Sequence, residues 1–269
     1  MNKQYGFIGC GNMGGALATA VAEVIPGEQL LLCDAFAEKA QTLAQKLNAD
    51  YTTDAKKLAA TCRYLFLGVK PQMFDDLFAQ IGDTLRARKE PPVLISMAAG
   101  LSIARVEALA DVACGVIRIM PNTPVSVGEG MILYAKNARV SDAEREAFCH
   151  ALSAAGVLDE LPEDKIDAAS ALSGCGPAFV YLFAEALADA GVECGLPRDK
   201  ALLYASQTLA GAAKLLLTSG KHPGELKDAV CSPGGTTIVG VHALEENGFR
   251  AAAMDAVTAA YRRTLELKK

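Results

Sequence analysis

The sequence predicts an α/β protein, a doubly wound sheet followed by a helical domain. Three observations predict it. Through the first half, short runs that are apolar on both faces alternate with helical stretches, as in a parallel sheet covered by helices. From about Pro162 the strand-like runs vanish and alanine-rich helical sequence takes over. Finally, Gly9-Cys10-Gly11-Asn12-Met13-Gly14 fits Gly-x-Gly-x-x-Gly between the first strand and the first helix. The expected division is a Rossmann-like dinucleotide-binding domain over residues 1–161 and an all-helical domain over 162–269.

In chain order, strands are expected over 6–9, 29–33, 64–69, 93–97 and 115–120, with a possible edge strand over 131–134. Helices are expected over 12–24 and 38–47, and Ser141 with Glu144 has the capping-box spacing of a further helix start. In the second half helices are expected over 166–172, 177–190, 197–218, 223–230, 236–246 and 249–267, with Gly or Pro at most joints.

Composition narrows the function. The formal net charge is -5 over 269 residues, which counts against a general nucleic-acid binder. No run of about 18 uncharged apolar residues is present, so no membrane span is expected. The N-terminus leads directly into a short glycine-containing run that does not read as a signal peptide, and a cytoplasmic protein is expected. The eight cysteines are scattered without a Cys-x-x-Cys pair and the three histidines are far apart, so neither a disulfide framework nor a metal site is expected. Most cysteines read as small buried hydrophobes.

The segment 178–188 is apolar almost all round and calls for cover on several sides. Subunit association is the favoured source of that cover, with burial against the first domain as the alternative.

The glycine loop needs each of its glycines. The first allows a tight turn, the second lets a pyrophosphate approach the backbone, and the third lets helix and strand pack closely. The helix start then offers free N–H groups to the anion. Gly9, Cys10, Gly11, Asn12 and Met13 are therefore candidate nucleotide ligands. Asp34 ends the second strand, where an acidic side chain normally binds the ribose 2′-hydroxyl and disfavours a 2′-phosphate. With no arginine in 35–39, NAD(H) is the simpler inference, unless Asp34 is a helix N-cap turned away from the ribose. Ligands of open α/β sheets lie beyond the carboxyl ends of the strands, which adds Val69-Lys70-Pro71, Met97-Ala98-Ala99 and Asn122. Lys70 is equally a phosphate ligand or a solvated loop lysine, and Asn122 is a candidate for the nicotinamide amide or an ordinary turn residue between prolines.

Ser232-Pro233-Gly234-Gly235-Thr236-Thr237 separates two helices of the second half. Free N–H groups near Gly235, Thr236 and Thr237 would seat a carboxylate, although an ordinary turn with Thr236 as N-cap is the more frequent use of such a sequence. Ser173-Gly174-Cys175-Gly176-Pro177 is a similar turn, and Cys175, with no histidine near it in sequence, reads as structural.

Taken together, Ile8-Gly9-Cys10-Gly11-Asn12-Met13-Gly14, Val69-Lys70-Pro71, Met120-Pro121-Asn122-Thr123-Pro124, 172–178 and above all 226–237 resemble the pyrroline-5-carboxylate reductase family, collinearly from residue 5 to about 265. The resemblance implies NADP(H)- or NAD(H)-dependent reduction of the C=N bond of 1-pyrroline-5-carboxylate to L-proline, without a metal. It implies a helical domain that interlocks with a partner in a homodimer or ring of dimers, with no membrane or nucleic-acid partner. It also implies a nucleotide along 9–13, 69–71 and 97–99. Thr237 would serve the ring nitrogen, while Gly234, Gly235, Thr236 and Asn122 would join it in holding substrate. The family often prefers NADPH, and Asp34 departs from the small or polar residue common at its position.

Two rivals are weaker. A 3-hydroxyacid dehydrogenase would need a catalytic lysine on a long helix of the second domain, and 178–190 contains none. A non-catalytic nucleotide-binding regulator would not need the seat at 234–237.

Overall fold

The computed structural model describes residues 3–266. In chain order the strands are β1 (Tyr5–Ile8), β2 (Leu30–Cys33), β3 (Asp50–Thr52), β4 (Tyr64–Leu67), β5 (Val93–Ser96), β6 (Val116–Met120), β7 (Gly130–Lys136) and β8 (Gly156–Glu160). The helices are α1 (Asn12–Ala22), α2 (Ala37–Leu47), α3 (Ala55–Thr61), α4 (Phe74–Arg86), α5 (Ile103–Ala110), α6 (Asp142–Ala151), α7 (Glu163–Ser173), α8 (Gly176–Glu193), α9 (Arg198–Ser219), α10 (Pro223–Ala229), α11 (Thr236–Glu246) and α12 (Phe249–Glu266). The final residue of the helix expected over 249–267 lies outside the described residues. Two compact units result: residues 3–174 with 261–266, and Cys175–Ala260.

The first unit is built on one eight-stranded sheet in the order β3-β2-β1-β4-β5-β6-β7-β8. Adjacent strands from β3 to β6 are parallel, β7 runs antiparallel to β6, and β8 is parallel to β7. The chain starts in the middle at β1 and winds outward both ways, so the switch point lies between β1 and β4. Strand alternation feeds two cores. Phe7, Leu30, Leu32 and Phe66 enter one, and Ile8, Leu31, Leu65 and Leu67 enter the other. Phe7 is in register with Phe66, and their rings stack at 4.4 Å. Burial of each such side chain contributes about 1.5–3 kcal/mol.

Several expected features need correction. The stretch 131–134 is part of β7, which is interior, because β8 pairs with it and forms the sheet edge. Strands β3 and β8 and helices α3, α4 and α5 come in addition to the expected elements. Helix α7 packs against β6 and β7 within the first unit, so that unit extends to Gly174. Its principal tie is Arg118 of β6, a buried cation whose guanidinium bonds Asp167 at 2.7 Å and Glu163 at 3.4 Å, both on α7. Glu163 also accepts the N–H of Ile103 at 2.7 Å, joining α5 to the same cluster.

In the second unit α8 and α9 pack through Ala188, Ala201 and Ala205. Gly191 permits that approach, since a Cβ there would lie 3.0 Å from the Ala201 methyl. Phe183 and Phe249 tilt together at 5.4 Å. On α8, however, only Ala188 is buried; Tyr181 is 62% and Leu182 68% exposed in the single chain. The stretch Glu163–Glu193, taken as one helix, is by length and composition long and apolar enough to cross a membrane, with mean hydropathy 1.4 over its most apolar part. The expectation that no segment would do so is corrected. Alanine-rich sequence continuing through Gly174 supplies the length, while Asp167 of the same stretch is buried against Arg118.

Candidate active site

The site of the first unit lies at the carboxyl ends of the parallel strands. Gly9 follows β1 with φ +98°, a conformation open to glycine. A Cβ on Gly9 would lie 2.7 Å from the Gly68 backbone and 3.0 Å from the Val69 nitrogen. The turns after β1 and β4 therefore touch backbone to backbone, and Gly68, which sequence reading passed over, is as necessary as Gly9. Its position directly after an apolar run was the available signal. A Cβ on Gly14 would fall 2.0 Å from the Gly9 carbonyl oxygen, whereas one on Gly11 would meet nothing within 4 Å. Gly9 and Gly14 hold the turn shut, and Gly11 leaves open space at the start of α1. Gly11 is the N-cap of α1, which has no side-chain cap and no acidic residue in its first turn. The leading N–H groups around Asn12 and Met13 lack intrahelical acceptors and suit an anionic group. This cradle fits a dinucleotide pyrophosphate.

Asp34 follows β2 and is half-buried. Its Oδ2 accepts the Cys10 N–H at 2.8 Å, and its Oδ1 accepts the Phe36 N–H at 2.9 Å. The N-cap of α2 is Phe36, so Asp34 is not that helix's N-cap and braces the glycine loop from the neighbouring strand. Cys10 and Cys33 stand beside it. Burial first, and the Asp34 charge second, push the Cys10 thiol up to about 12 and the Cys33 thiol up to about 11. Both stay protonated and unreactive at neutral pH.

The remaining predicted residues of this unit divide by exposure. Val69 is half-buried and Lys70 exposed, and Pro71 opens a short 3-10 turn. Met97 is half-buried near Gly68, with its sulfur 3.5 Å from where a Gly68 Cβ would stand. Ala98 is buried and Ala99 exposed. Asn122 has a structural engagement that the sequence did not announce. Its Nδ2 donates to the Ser173 carbonyl at 2.9 Å, and its Oδ1 accepts the Met131 N–H at 2.8 Å, tying together the exit of β6, the start of β7 and the end of α7.

In the second unit Gly234, Gly235, Thr236 and Thr237 share the turn between α10 and α11. Gly234 has φ +67°, which turns the chain back. The N-cap is Gly235 and not Thr236, and no side chain caps α11. A Cβ at Gly235 would meet Ser232 Oγ at 2.4 Å. The Gly235 N–H turns back to the Ser232 carbonyl at 3.0 Å, so the open N–H groups at the start of α11 are those from Thr236 onward, with no acidic residue in the first turn and the exposed Thr236 and Thr237 beside them. Of the eight cysteines, Cys10, Cys33, Cys62 and Cys114 are buried as expected, but Cys175 and Cys194 are exposed. Among the described residues no group of three or more His, Cys, Asp or Glu side chains could hold a metal ion.

A sheet whose glycine turn fits a dinucleotide, followed by an all-helical unit, has the architecture of a two-part NAD(P)-linked oxidoreductase. The family model described as NADP oxidoreductase, coenzyme F420-dependent, matches residues 4–100, and that of pyrroline-5-carboxylate reductase dimerisation matches residues 163–267. The chain is 41% identical to the pyrroline-5-carboxylate reductase of Synechocystis sp., with 100% of each chain covered. The solved structure of Plasmodium falciparum pyrroline carboxylate reductase with NADP bound is 34% identical with a TM-score of 0.87, covering 100% of this chain and 99% of that one. A Coxiella burnetii pyrroline-5-carboxylate reductase superposes with a TM-score of 0.92 at 30% identity, with 100% of each chain covered. The chain belongs to the pyrroline-5-carboxylate reductase family.

Proposed function

We propose that this protein reduces 1-pyrroline-5-carboxylate to L-proline, the last step of proline biosynthesis. The observation that carries the reading is similarity over the whole chain, which spans both glycine turns. NADP(H) or NAD(H), when bound, supplies the hydride that reaches the C=N carbon. The chain's own residues do the rest. Gly9, Cys10, Gly11, Asn12 and Met13 hold the pyrophosphate, with Asp34, Val69, Lys70, Pro71, Met97, Ala98 and Ala99 around the rest of the nucleotide. Asn122 shapes the floor and keeps one amide hydrogen and one lone pair free for the nicotinamide amide or the substrate.

The N–H groups of Gly234 and Thr236 seat the substrate carboxylate, and Gly235, whose own N–H is held by the Ser232 carbonyl at 3.0 Å, shapes the turn around it. Thr237 bonds the ring nitrogen and relays the proton that this nitrogen gains as its double bond is reduced. An imine nitrogen is more basic than a carbonyl oxygen, so a hydroxyl in a relay suffices and no histidine is required. Catalysis is then mainly orientation of the ring. The exposed apolar face of α8 supports a homodimer or ring of dimers, and the protein is read as cytoplasmic with no metal requirement.

The test is loss of NAD(P)H absorbance with pyrroline-5-carboxylate, with L-proline identified as product. No imine-dependent oxidation with either nucleotide overturns the reading. Thr237→Val should lower kcat by about a hundredfold while leaving nucleotide affinity unchanged, and Thr237→Ser should restore most of it. Weakened nucleotide binding at unchanged kcat would remove Thr237 from the chemistry.

A further inference from the structure

We propose that Asp34 makes this chain select the dinucleotide without a 2′-phosphate, so that NADH is preferred over NADPH. The inference rests on the reading of the chain as a nicotinamide-nucleotide reductase and deepens it. An acidic side chain at the end of the second strand is a general discriminator against a 2′-phosphate only if it stays at the ribose position. Here the geometry holds it in place.

One carboxylate oxygen takes the Cys10 N–H at 2.8 Å, inside the glycine loop, and the other takes the Phe36 N–H at 2.9 Å. Two donors on opposite oxygens fix the plane of the group and keep it at the mouth of the loop. Each oxygen retains acceptor capacity, which two vicinal ribose hydroxyls can use. A phosphate has no such hydrogen to give at neutral pH and sets a second anion against the first. Removing the carboxylate from its place would break both bonds, one of them to the nucleotide loop itself.

The neighbouring cations do not reverse this. From Asp34 to Leu47 there is no arginine, the residue that most often accommodates a 2′-phosphate. Lys39 lies with its Nζ 4.9 Å above the centre of the exposed Phe36 ring, already engaged by that face. Lys39 and Lys46 line a hollow of about 450 Å³ beside Cys10, but Glu38 lines it too. With Asp34 itself at the ribose position, two cations face two anions.

The experiment is equilibrium titration of the full chain with NADH and with NADPH, read by nucleotide fluorescence without substrate. The wild-type dissociation constant for NADH is expected to lie more than about tenfold below that for NADPH. Asp34→Ser, and the near-isosteric Asp34→Asn if the serine variant folds poorly, should shrink this ratio about tenfold by improving NADPH relative to NADH. Lys39→Gln should leave the ratio in place. Tighter NADPH binding by the wild type, an unchanged ratio in both Asp34 variants, or selective loss of NADPH affinity in Lys39→Gln overturns the proposal while leaving a nucleotide reductase intact. Failure to bind either nucleotide sinks both the proposal and the function beneath it.

Discussion

The two units of this chain satisfy their apolar residues in opposite ways. In the first, β1, β2, β4 and β5 are buried along their whole length and both faces of the sheet are filled by aliphatic and aromatic side chains. In the second, the buried core is three alanines, while Tyr181, Leu182, Leu203 and Leu217 stand exposed in the single chain. The difference shows that a composition of 51% hydrophobic residues does not make every domain self-sufficient. One unit completes its core from its own sequence, and the other has its apolar surface left for association.

The largest test of that contrast is Leu182→Glu. A charge placed under a subunit would cost roughly 3 kcal/mol or more at the interface. Light scattering should show dissociation, with activity lost, whereas an unchanged oligomer would place α8 outside the contact. In the first unit, Arg118→Leu removes the guanidinium from the buried Asp167 and from Glu163 and should lower stability by about 3–5 kcal/mol in denaturant unfolding. Adding Asp167→Leu should recover much of the loss. Gly14→Ala drives a methyl into the Gly9 carbonyl and should cost about 1–3 kcal/mol, seen as a lower Tm. Gly11→Ala meets no protein atom, so its effect should fall on nucleotide affinity with Tm unchanged.

A further test of the first unit uses its thiols. Burial raises Cys10 to about 12 and Cys33, Cys62 and Cys114 to about 11, from an ordinary value of 9.0. For a group held protonated by the fold, the contribution is complete below pH 9.0 and is lost as pH rises through about 11. Unfolding free energy should decline across that window. At pH 8, alkylation should spare these four and mark Cys175 and Cys194 of the second unit; protection of that pair would map surface covered by a subunit.

Sequence patterning showed the central sheet and the second-unit helices clearly, because long apolar runs and Gly or Pro joints are local signals. The edges were hidden for physical reasons. Strand β3 has only three residues, with Asp50 and Tyr51 exposed, and β8 is an edge with little alternation, Gly-Val-Leu-Asp-Glu. The 131–134 segment looked like an edge because the strand outside it gave so weak a signal. The glycine loop was legible as a pattern, but the bonds from Asp34 to Cys10 and from Asn122 to Ser173 join distant parts of the chain, which a linear reading does not supply. Arg118 is the plainest case. In Val116–Met120 it reads as a polar interruption, and only its two carboxylates on α7 explain why it is buried.

That arginine also decides where the gene can be cut. A shortened chain ending at residue 161 keeps the whole sheet yet discards both counter-ions, leaving a cation stranded behind β6, and is expected to aggregate on expression. One ending at Gly174 retains them, giving up only 261–266 of the first unit, and is the better starting fragment for grafting this nucleotide-binding half onto an unrelated partner.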